Sequence, residues 1–237
     1  MIVAVHGSFP AQRVVVVSPH HDDGILSLGA SIAAWTRAGA AVELLTVLGC
    51  EPGSVAPAGG WDRRGGFATE GESARARREE DRCACAVVGA RPVWLPFGSV
   101  DYERHGDDAE VRDAVISSIA DAELVLLPGH PLTHPDHAWL SRLLEGAIDR
   151  RVALYAEQPY TRRSGAPPPA QGRVAADDVF EPVQVTSRDR VAKWRAIGCY
   201  RSQLDLLGMR RSVRGGPHRY ALGSEWVAWG RYLRPGA

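Results

Sequence analysis

Residues 13–29 have the sequence RVVVVSPHHDDGILSLG, and the order of residue types in this stretch predicts a strand, a polar turn and a helix. The β-branched run at 13–17 is typical of a strand that is buried on both faces. Apolar residues then recur at helical spacings of three and four from Ile25 to Trp35. Two histidines and two aspartates lie between these elements. Like charges in contact are costly unless they share a cation or a proton, so the turn is either a metal site or a solvated loop.

The alternation of strand and helix continues along the chain to residue 157. This order is the signature of an α/β fold, in which a parallel sheet is covered by helices on both sides. Strands are predicted at 41–49, 93–96, 123–128 and 152–157, and helices at 73–90, at 107–121, from Pro135 onward, and at 187–200 with Ser187 as N-cap. The ranges 50–66 and 162–176 are predicted loops, and 224–233 is a last strand or a packed segment.

Two clusters of titratable residues follow predicted strands. Residues 20–23 come directly after the first strand, and residues 130–137 come after the strand at 123–128. In open parallel sheets, sites form in the crevice beyond the carboxyl ends of the strands. If these two strands are neighbours, we expect both clusters to meet in one crevice.

Composition limits the function classes. The 237 residues are 45% hydrophobic, enough for one sizeable core, and we predict one domain over 1–237. The 28 basic and 28 acidic residues balance, and the sequence has no basic stripe of the kind that binds nucleic acid. We therefore expect no nucleic-acid partner. No apolar run is long enough to span a bilayer, and the N-terminus does not resemble a signal peptide, so we expect a cytoplasmic protein without membrane contact. The four cysteines are expected to be buried reduced thiols, because no C-x-x-C pair occurs.

The two clusters together contain the groups of a metal-dependent hydrolase. Catalytic zinc has three protein ligands, imidazole or carboxylate among them, and one open position. His20 and Asp23, three residues apart around a turn, can hold one ion with a histidine of the second cluster. Asp22 would then lie beside the metal, where a carboxylate can take the proton of a metal-bound water whose pKa the ion lowers towards ~7. His134 could stabilise or protonate groups on the other side of a substrate.

Other interpretations fit some of the same residues. His20, Asp22 and His137 loosely match the two-histidine, one-carboxylate triad of non-haem Fe(II) oxygenases. We rank that match low, because those enzymes are all-β barrels and this chain alternates strand and helix. His21 and His130 are the doubtful members of the two clusters. The remaining isolated histidines, which are His6, His105 and His218, are expected to be surface residues.

Four segments resemble the LmbE-like, or PIG-L, family of zinc-dependent N-deacetylases. PHHDDGILSLG (19–29) is similar to the first metal motif of the family, and HPDH (134–137) to the second. RREEDRCACAVVGA (77–90) is similar to its R-x-x-E-x-x-x-A-x-x-x-x-G helix, and KWRAIGCYRSQL (193–204) to its C-terminal K-x-x-A-x-x-x-Y-x-S-Q segment. The segments occur in the family's order. The resemblance implies a Rossmann-like three-layer sandwich with a mostly parallel central sheet.

The resemblance also implies a role for each matching residue. The implied metal ligands are His20, Asp23 and His137, with Zn²⁺ as the expected ion and another divalent ion such as Fe²⁺ also fitting. Asp22 becomes the general base, and His134 the acid or oxyanion stabiliser, with Asp136 tuning it. Arg77 matches an arginine that contacts the sugar, and Asp101 is a weaker match to a hydroxyl-binding aspartate. Some members carry a mobile tyrosine at the position of Leu132, so electrophilic help from a tyrosine is not expected there.

The activity expected from this resemblance is removal of an acyl group, most often acetyl, from an N-acyl amino sugar, a glycosylated natural product or a thiol precursor. The alternatives are amidase activity on thiol S-conjugates at the same site, and a non-catalytic protein that binds a small molecule. The expected partner is a small molecule, and a homo-oligomer is compatible with the sequence. The natural substrate lies beyond what these motifs specify.

Overall fold

The computed structural model describes residues 11–102, 107–163, 179–209 and 223–229. Within these ranges seven strands form one sheet: β1 Arg13–Ser18, β2 Ala41–Thr46, β3 Arg91–Trp94, β4 Leu124–His130, β5 Arg151–Ala156, β6 Glu181–Pro182 and β7 Trp226–Ala228. The spatial order is β3-β2-β1-β4-β5-β7-β6. β1 to β5 are parallel, whereas β7 is antiparallel to its neighbours β5 and β6. The sheet is therefore mostly parallel, as predicted.

Helices connect the strands and cover both faces of the sheet. They are α1 Asp23–Arg37, α2 Gly60–Arg64, α3 Glu70–Val88, α4 Asp108–Ser118, α5 Pro135–Leu144, α6 Tyr160–Arg163, α7 Ser187–Ile197 and α8 Arg201–Leu204. α3 begins where the Thr69 hydroxyl accepts a hydrogen bond from the backbone N–H of Glu72, and it ends at Gly89 in the left-handed conformation. In the described part of the chain every helix is too short or too polar to cross a bilayer.

Alternate residues of β1 belong to different hydrophobic layers. Val14 and Val16 pack in the cluster that contains side chains of α1, α3 and α7. Val15 and Val17 pack in the cluster that contains side chains of α4 and α5. Because successive side chains of a strand point to opposite faces, the run of four valines in β1 is suited to a sheet covered on both sides. This arrangement confirms the three-layer α/β sandwich.

β1 and β4 lie side by side at the centre of the sheet. Val14 pairs with Leu124, Val15 with Val125 and Val16 with Leu126. The strand order reverses at this pair, since the chain continues from β1 to β2 on one side and from β4 to β5 on the other. Such a switch point opens a crevice at the carboxyl ends of the strands. The turns after β1 and β4 both lead into this crevice, as expected from the sequence.

Two sequence predictions are corrected, and one alternative that the sequence left open is decided. The predicted loop at 50–66 contains the short helix α2, which no local pattern indicates. The N-cap of α7 is Thr186 and not Ser187, because Thr186 and Asp189 exchange side-chain and backbone hydrogen bonds in a capping box. The ambiguous segment at 224–233 contributes β7, which is a strand. Most of the predicted loop at 162–176 lies outside the described residues, as do His6, His105 and His218.

The expectation of four reduced cysteines is wrong for one pair. Cys83 of α3 and Cys199, just after α7, form a disulfide with their Cα atoms 5.8 Å apart. The sequence separation of 116 residues concealed this pair, since nothing local brings the two thiols together. Cys50 and Cys85 are buried free thiols, as expected. Disulfides are rare in cytoplasmic proteins, so this bond does not support the predicted cytoplasmic location, which stays a prediction.

Two neighbouring contacts strengthen the same junction. Glu80 accepts hydrogen bonds of 2.7 Å from both the backbone N–H and the hydroxyl of Ser202. The Tyr200 hydroxyl donates to Asp81 at 2.6 Å. Burial raises the pKa of Asp81 to about 7, although the hydrogen bonds from Tyr200 and Trp94 oppose the shift. The sequence segments 77–90 and 193–204 therefore pack together as one unit beside the crevice.

Reduction of the Cys83–Cys199 disulfide should lower the free energy of unfolding by about 2–4 kcal/mol, because the bond closes a long loop in the unfolded chain. Urea denaturation with and without dithiothreitol measures the change. The double variant Cys83→Ser/Cys199→Ser should be insensitive to the reductant. An unchanged wild-type midpoint in dithiothreitol would contradict the disulfide.

A buried ion pair fastens α1 to α7 and to the segment before β7. Lys193 and Glu225 are each 0% exposed, and the lysine Nζ lies 2.6 Å from the Glu225 carboxylate. The same carboxylate accepts the backbone N–H groups of Ala30 at 3.0 Å and Ser31 at 2.7 Å. Every oxygen of Glu225 is thus hydrogen-bonded, which offsets the cost of removing its charge from water.

Replacing one partner of this pair should destabilise the protein more than replacing both. Lys193→Met leaves the Glu225 charge buried without its counter-ion, and a loss of about 3–5 kcal/mol is expected. The double variant Lys193→Met/Glu225→Gln should lose less, because no uncompensated charge remains. Chemical denaturation of the three proteins tests this order, and equal losses in the single and double variants would refute it.

Candidate metal centre and active site

The turn after β1 is shaped by hydrogen bonds that close it on itself. The Ser18 hydroxyl donates to the carbonyl oxygen of His20 at 2.5 Å and accepts the backbone N–H of Gly24 at 2.9 Å. The Asp23 carboxylate accepts the backbone N–H of His20 at 2.9 Å. A Cβ at position 24 would lie 2.4 Å from Leu44 Cδ1, so the missing side chain lets α1 start directly against β2. This turn brings His20 and Asp23 to one side.

The turn after β4 is fixed by the start of α5. His134 is the N-cap, and its Nδ1 accepts the backbone N–H of Asp136 at 3.2 Å. Pro135 occupies the first helical position, as predicted, where its missing N–H costs nothing. Asp136 and His137 follow in the first turn of the helix, and both are 0% exposed. The helix start thus directs three side chains of the second motif into the crevice.

One donor atom from each of His20, Asp23 and His137 forms a small triangle. His20 Nδ1 lies 3.1 Å from Asp23 Oδ2, His137 Nε2 lies 3.1 Å from the same oxygen, and the two nitrogens are 3.2 Å apart. Ligands bound tetrahedrally to zinc at ordinary bond lengths are about 3.3 Å from one another. The triangle of donor atoms therefore has the size that a zinc ion requires, and the donor set of two imidazoles and one carboxylate suits it.

Each histidine of the triangle has a buried carboxylate on its outer nitrogen. His137 Nδ1 is hydrogen-bonded to Glu157, which is 1% exposed, and His20 Nε2 lies 3.1 Å from Asp136 Oδ2. Carboxylates in this position fix the tautomer and the ring orientation of metal-binding histidines. Burial alone would lower the pKa of His20, but its bonds to Asp136 and Asp23 raise the pKa to about 9. The pKa of His137 rises to about 11, because Asp23 and Glu157 outweigh the effect of burial.

A second set of ligands is also close enough to consider. His134 has a ring nitrogen within 4.8 Å of donor atoms of His20 and His137. That spacing is looser than the 3.1–3.2 Å triangle that includes Asp23. Nδ1 of His134 is also engaged by the backbone of Asp136. The geometry therefore favours Asp23 as the third ligand and leaves His134 beside the centre.

Asp22 and His134 line the same cleft as His20 and Asp23. Both line a cleft of ≈ 980 Å³, including its mouth, whose other residues include Trp61, Asp62, Arg77, Asp101, Tyr102 and Gln203. Asp22 occupies the N-cap position of α1 but makes no capping bond. Burial, followed by repulsion from Asp23, raises the pKa of Asp22 to about 6. Burial, followed by the charges of His20 and His137, lowers the pKa of His134 to about 4, so its ring is neutral at pH 7.

Asp136 contacts both His134 and His20. It was expected to tune His134, and its carboxylate lies 4.0 Å from His134 Nδ1 and 3.1 Å from His20 Nε2. It also accepts the backbone N–H of Val100 at 3.0 Å. Because Asp136 opens a helix at the switch point, its side chain reaches across to the β1 turn. Its contacts are those of a residue that orients His20.

The two predicted substrate-binding residues both line the cleft. The Arg77 guanidinium forms an ion pair with Asp62, which is 2% exposed and also accepts bonds from Ser73 and Tyr102. The buried Arg77 Nε has no hydrogen-bond partner within the described ranges. Asp101 accepts the backbone N–H of Trp61 at 2.7 Å. Arg77 and Asp101 thus each bind a residue of α2, Asp62 and Trp61 respectively.

The two doubtful histidines differ in position. His21 is 2% exposed and lines the cleft, and burial lowers its pKa. The ring of His130 packs 6.1 Å from that of Phe180, and His130 is absent from the cleft lining in the described part of the chain. Sequence reasoning missed Glu157, Asp62 and Trp61. Glu157 could have been found, because it is a carboxylate directly after a buried strand at the edge where the other clusters lie.

Comparison with known proteins identifies the family of the chain. The sequence profile of the PIG-L family, described as GlcNAc-PI de-N-acetylase, matches residues 15–148, more than half of the chain. The chain therefore belongs to the PIG-L family. The matched range includes both sequence motifs, which are residues 19–29 and 134–137. No curated protein sequence matches the chain significantly.

Solved structures share the fold over almost the whole chain. A deacetylase triple mutant involved in teicoplanin biosynthesis is 26% identical, with a TM-score of 0.70 and coverage of 91% of this chain and 96% of that one. The A40926 pseudoaglycone deacetylase Dbv21 is 24% identical, with a TM-score of 0.70 and coverage of 92% and 96%. GalB, a 4-carboxy-2-hydroxymuconate hydratase from Pseudomonas putida, is 21% identical, with a TM-score of 0.58 and coverage of 95% and 100%. The fold alone therefore does not define the reaction.

Removal of the Glu157 charge should weaken the binding of a divalent ion at the triangle. Glu157→Gln keeps the shape of the side chain but loses the carboxylate that orients His137, and metal affinity should fall about 10–100-fold. Competition with a fluorescent zinc chelator measures the affinity. Glu110→Gln, at an exposed position of α4, is the matched control. Equal affinity in the Glu157 variant and the control would contradict the role of Glu157.

Proposed function

We propose that the protein is a metal-dependent hydrolase that removes an acyl group, most often acetyl, from an N-acyl amino sugar or a glycosylated natural product or thiol precursor. The observation that carries the proposal is the 3.1–3.2 Å triangle of His20, Asp23 and His137 with Asp22 beside it. Membership of the PIG-L family supports the deacetylase class. Similar structures include deacetylases of teicoplanin and of N,N'-diacetylchitobiose, which supports a sugar-containing substrate.

The triangle would hold a divalent cation, with zinc as the first candidate and Fe²⁺ as an alternative. His20 and His137 supply nitrogen ligands, and Asp23 supplies an oxygen ligand. A cation bound there supplies activation of water and polarisation of the acyl carbonyl. The outer carboxylates Asp136 and Glu157 keep the two imidazoles in the orientation that binding requires.

Asp22 is the proton acceptor in this proposal. Its carboxylate lines the cleft next to the triangle and is not used to cap α1. A pKa of about 6 leaves it mostly ionised at pH 7, yet basic enough to take the proton that the attacking water loses. The protonated Asp22 can then give this proton to the leaving nitrogen. One carboxyl group thus serves as base and then as acid.

His134 stabilises the carbonyl oxygen. Since Nδ1 accepts the Asp136 backbone N–H, the neutral ring carries its proton on Nε2. That N–H can donate a hydrogen bond to the oxygen as negative charge develops on it. The lowered pKa of His134 supports a neutral hydrogen-bond donor over an imidazolium acid. Arg77 and Asp101, farther along the cleft, are proposed to contact the hydroxyl groups of the sugar, directly or through α2.

The direct test is an acyl-release screen. Acetate release should be measured with N-acetylglucosamine, its aryl glycosides, glycopeptide pseudoaglycones and thiol S-conjugates as substrates. Activity should disappear after chelator dialysis and return with one equivalent of Zn²⁺ or Fe²⁺. Full activity in protein shown by elemental analysis to be metal-free would refute the metal dependence. No acyl release from any compound would favour a non-catalytic binding protein.

Asp22→Asn should separate metal binding from turnover. We expect kcat to fall at least about 100-fold, because the amide cannot accept a proton. The metal content should stay at the wild-type level, since Asp22 is outside the triangle. Asp113→Asn, an exposed position on α4, is the control for the loss of one negative charge. Wild-type turnover in the Asp22 variant would end the assignment of Asp22 as the base.

A further inference from the structure

Trp61 is held in the cleft by two hydrogen bonds, one from its backbone and one from its indole, to residues in different parts of the chain. Its backbone N–H donates to Asp101 Oδ2 at 2.7 Å, and its Nε1–H donates to Gln203 Oε1 at 2.8 Å. Asp101 lies after β3, and Gln203 lies on α8. Trp61 itself lies on α2, so three separate parts of the chain meet at this one side chain. Such contacts fix both the backbone and the ring of Trp61.

The remainder of α2 is equally constrained. A Cβ at Gly59, just before the helix, would lie 2.8 Å from Asp101 Cβ and 2.9 Å from the Asp101 carbonyl oxygen, so the start of α2 packs directly on Asp101. Asp62 forms the buried ion pair with Arg77. The Arg64 guanidinium lies 4.9 Å from the centroid of the Trp61 ring, in the range of a cation–π contact. The position of the indole is therefore set before any ligand binds, which reduces the entropy lost on binding.

A fixed and partly exposed indole is suited to one part of the substrate in particular. A pyranose ring has a face of C–H groups and a rim of hydroxyls. The cleft offers the aromatic surface of Trp61 to such a face, while Asp101, Arg77 and Tyr102 place polar groups around it. His20, Asp22 and Asp23 line the same cleft and would face the acylated nitrogen. The cleft thus has separate places for the ring and for the amide.

We propose that Trp61 is the platform on which the sugar ring of the substrate packs, and that Gln203 and Asp101 are positioning residues that fix the orientation of its indole. The proposal rests on the proposed function, because it takes an N-acyl amino sugar as the substrate. It adds a specificity-determining residue from a segment that contains neither metal motif. It also gives Asp101 a role that acts through Trp61.

Binding to an inactive background tests the platform without relying on turnover. In Asp22→Asn protein, NMR titration should give Kd values for N-acetylglucosamine and for phenyl N-acetyl-β-glucosaminide. Trp61→Ala should raise both Kd values about tenfold, and Trp61→Phe should stay within about threefold of the parent, because it keeps an aromatic face. Trp194→Phe is the matched control, since the buried Trp194 Nε1 has no hydrogen-bond partner in the described part of the chain.

Two outcomes would overturn the platform. Unchanged Kd values in Trp61→Ala would do so, and an increase confined to the phenyl glycoside would show that Trp61 contacts the aglycone instead of the sugar. Trp61→Leu, which keeps apolar volume without a ring, replaces the alanine variant if that protein fails to fold. If sugar binding depends on Trp61 but the wild type releases no acyl group, the proposed function is refuted and the role of Trp61 in sugar binding is supported.

A double-mutant cycle tests whether Gln203 acts through Trp61. Gln203→Leu should raise KM for acetate release about threefold with kcat unchanged, and Gln203→Glu, which keeps an acceptor, should restore KM. In the Trp61→Phe background, which has no indole N–H, Gln203→Leu should have no further effect. A full effect in that background would assign Gln203 to direct substrate contact and refute the positioning role.

Discussion

The parallel pairing of β1 with β4 is the constraint on which the site depends. Neither turn contains a complete set of metal ligands, and more than a hundred residues separate them. The register that places Val15 beside Val125 also makes both strands end at the same edge of the sheet. The donor atoms of His20, Asp23 and His137 then approach within 3.2 Å of one another. Backbone hydrogen bonding in the core of the sheet thus determines a distance between side chains in the crevice.

This concentration of charge is costly in the absence of compensating contacts. Asp22, Asp23, Asp136 and Glu157 are each at most 7% exposed. Four carboxyl groups removed from water would repel one another strongly. The protein offsets the repulsion by sharing protons between the carboxylates and His20 or His137, whose pKa values are raised to about 9 and about 11. A divalent cation at the triangle would add positive charge among the same carboxylates.

Much of the fold and the centre of the site could be predicted from the sequence. The run of four valines in β1 indicated a sheet with two covered faces, and polar residues after β1 and β4 indicated where the site lies. Contacts that depend on distant parts of the chain were missed. The Cys83–Cys199 pair and the anchoring of α2 by Asp101 have no local pattern, whereas the position of Glu157 directly after a buried strand could have indicated it. The contact of Asp136 with His20 was also missed, because spacing along the chain does not show that its side chain crosses to that residue.

The Lys193–Glu225 pair has a consequence for the order in which the protein can fold during synthesis. The strands and helices that carry both metal motifs leave the ribosome well before residue 225. Until Glu225 arrives, the amide groups of Ala30 and Ser31 lack the carboxylate that binds them, and the Lys193 ammonium lacks its counter-ion. A nascent chain would therefore keep this part of its interior hydrated. The junction of α1 and α7 can become dry only after residue 225 has been synthesised.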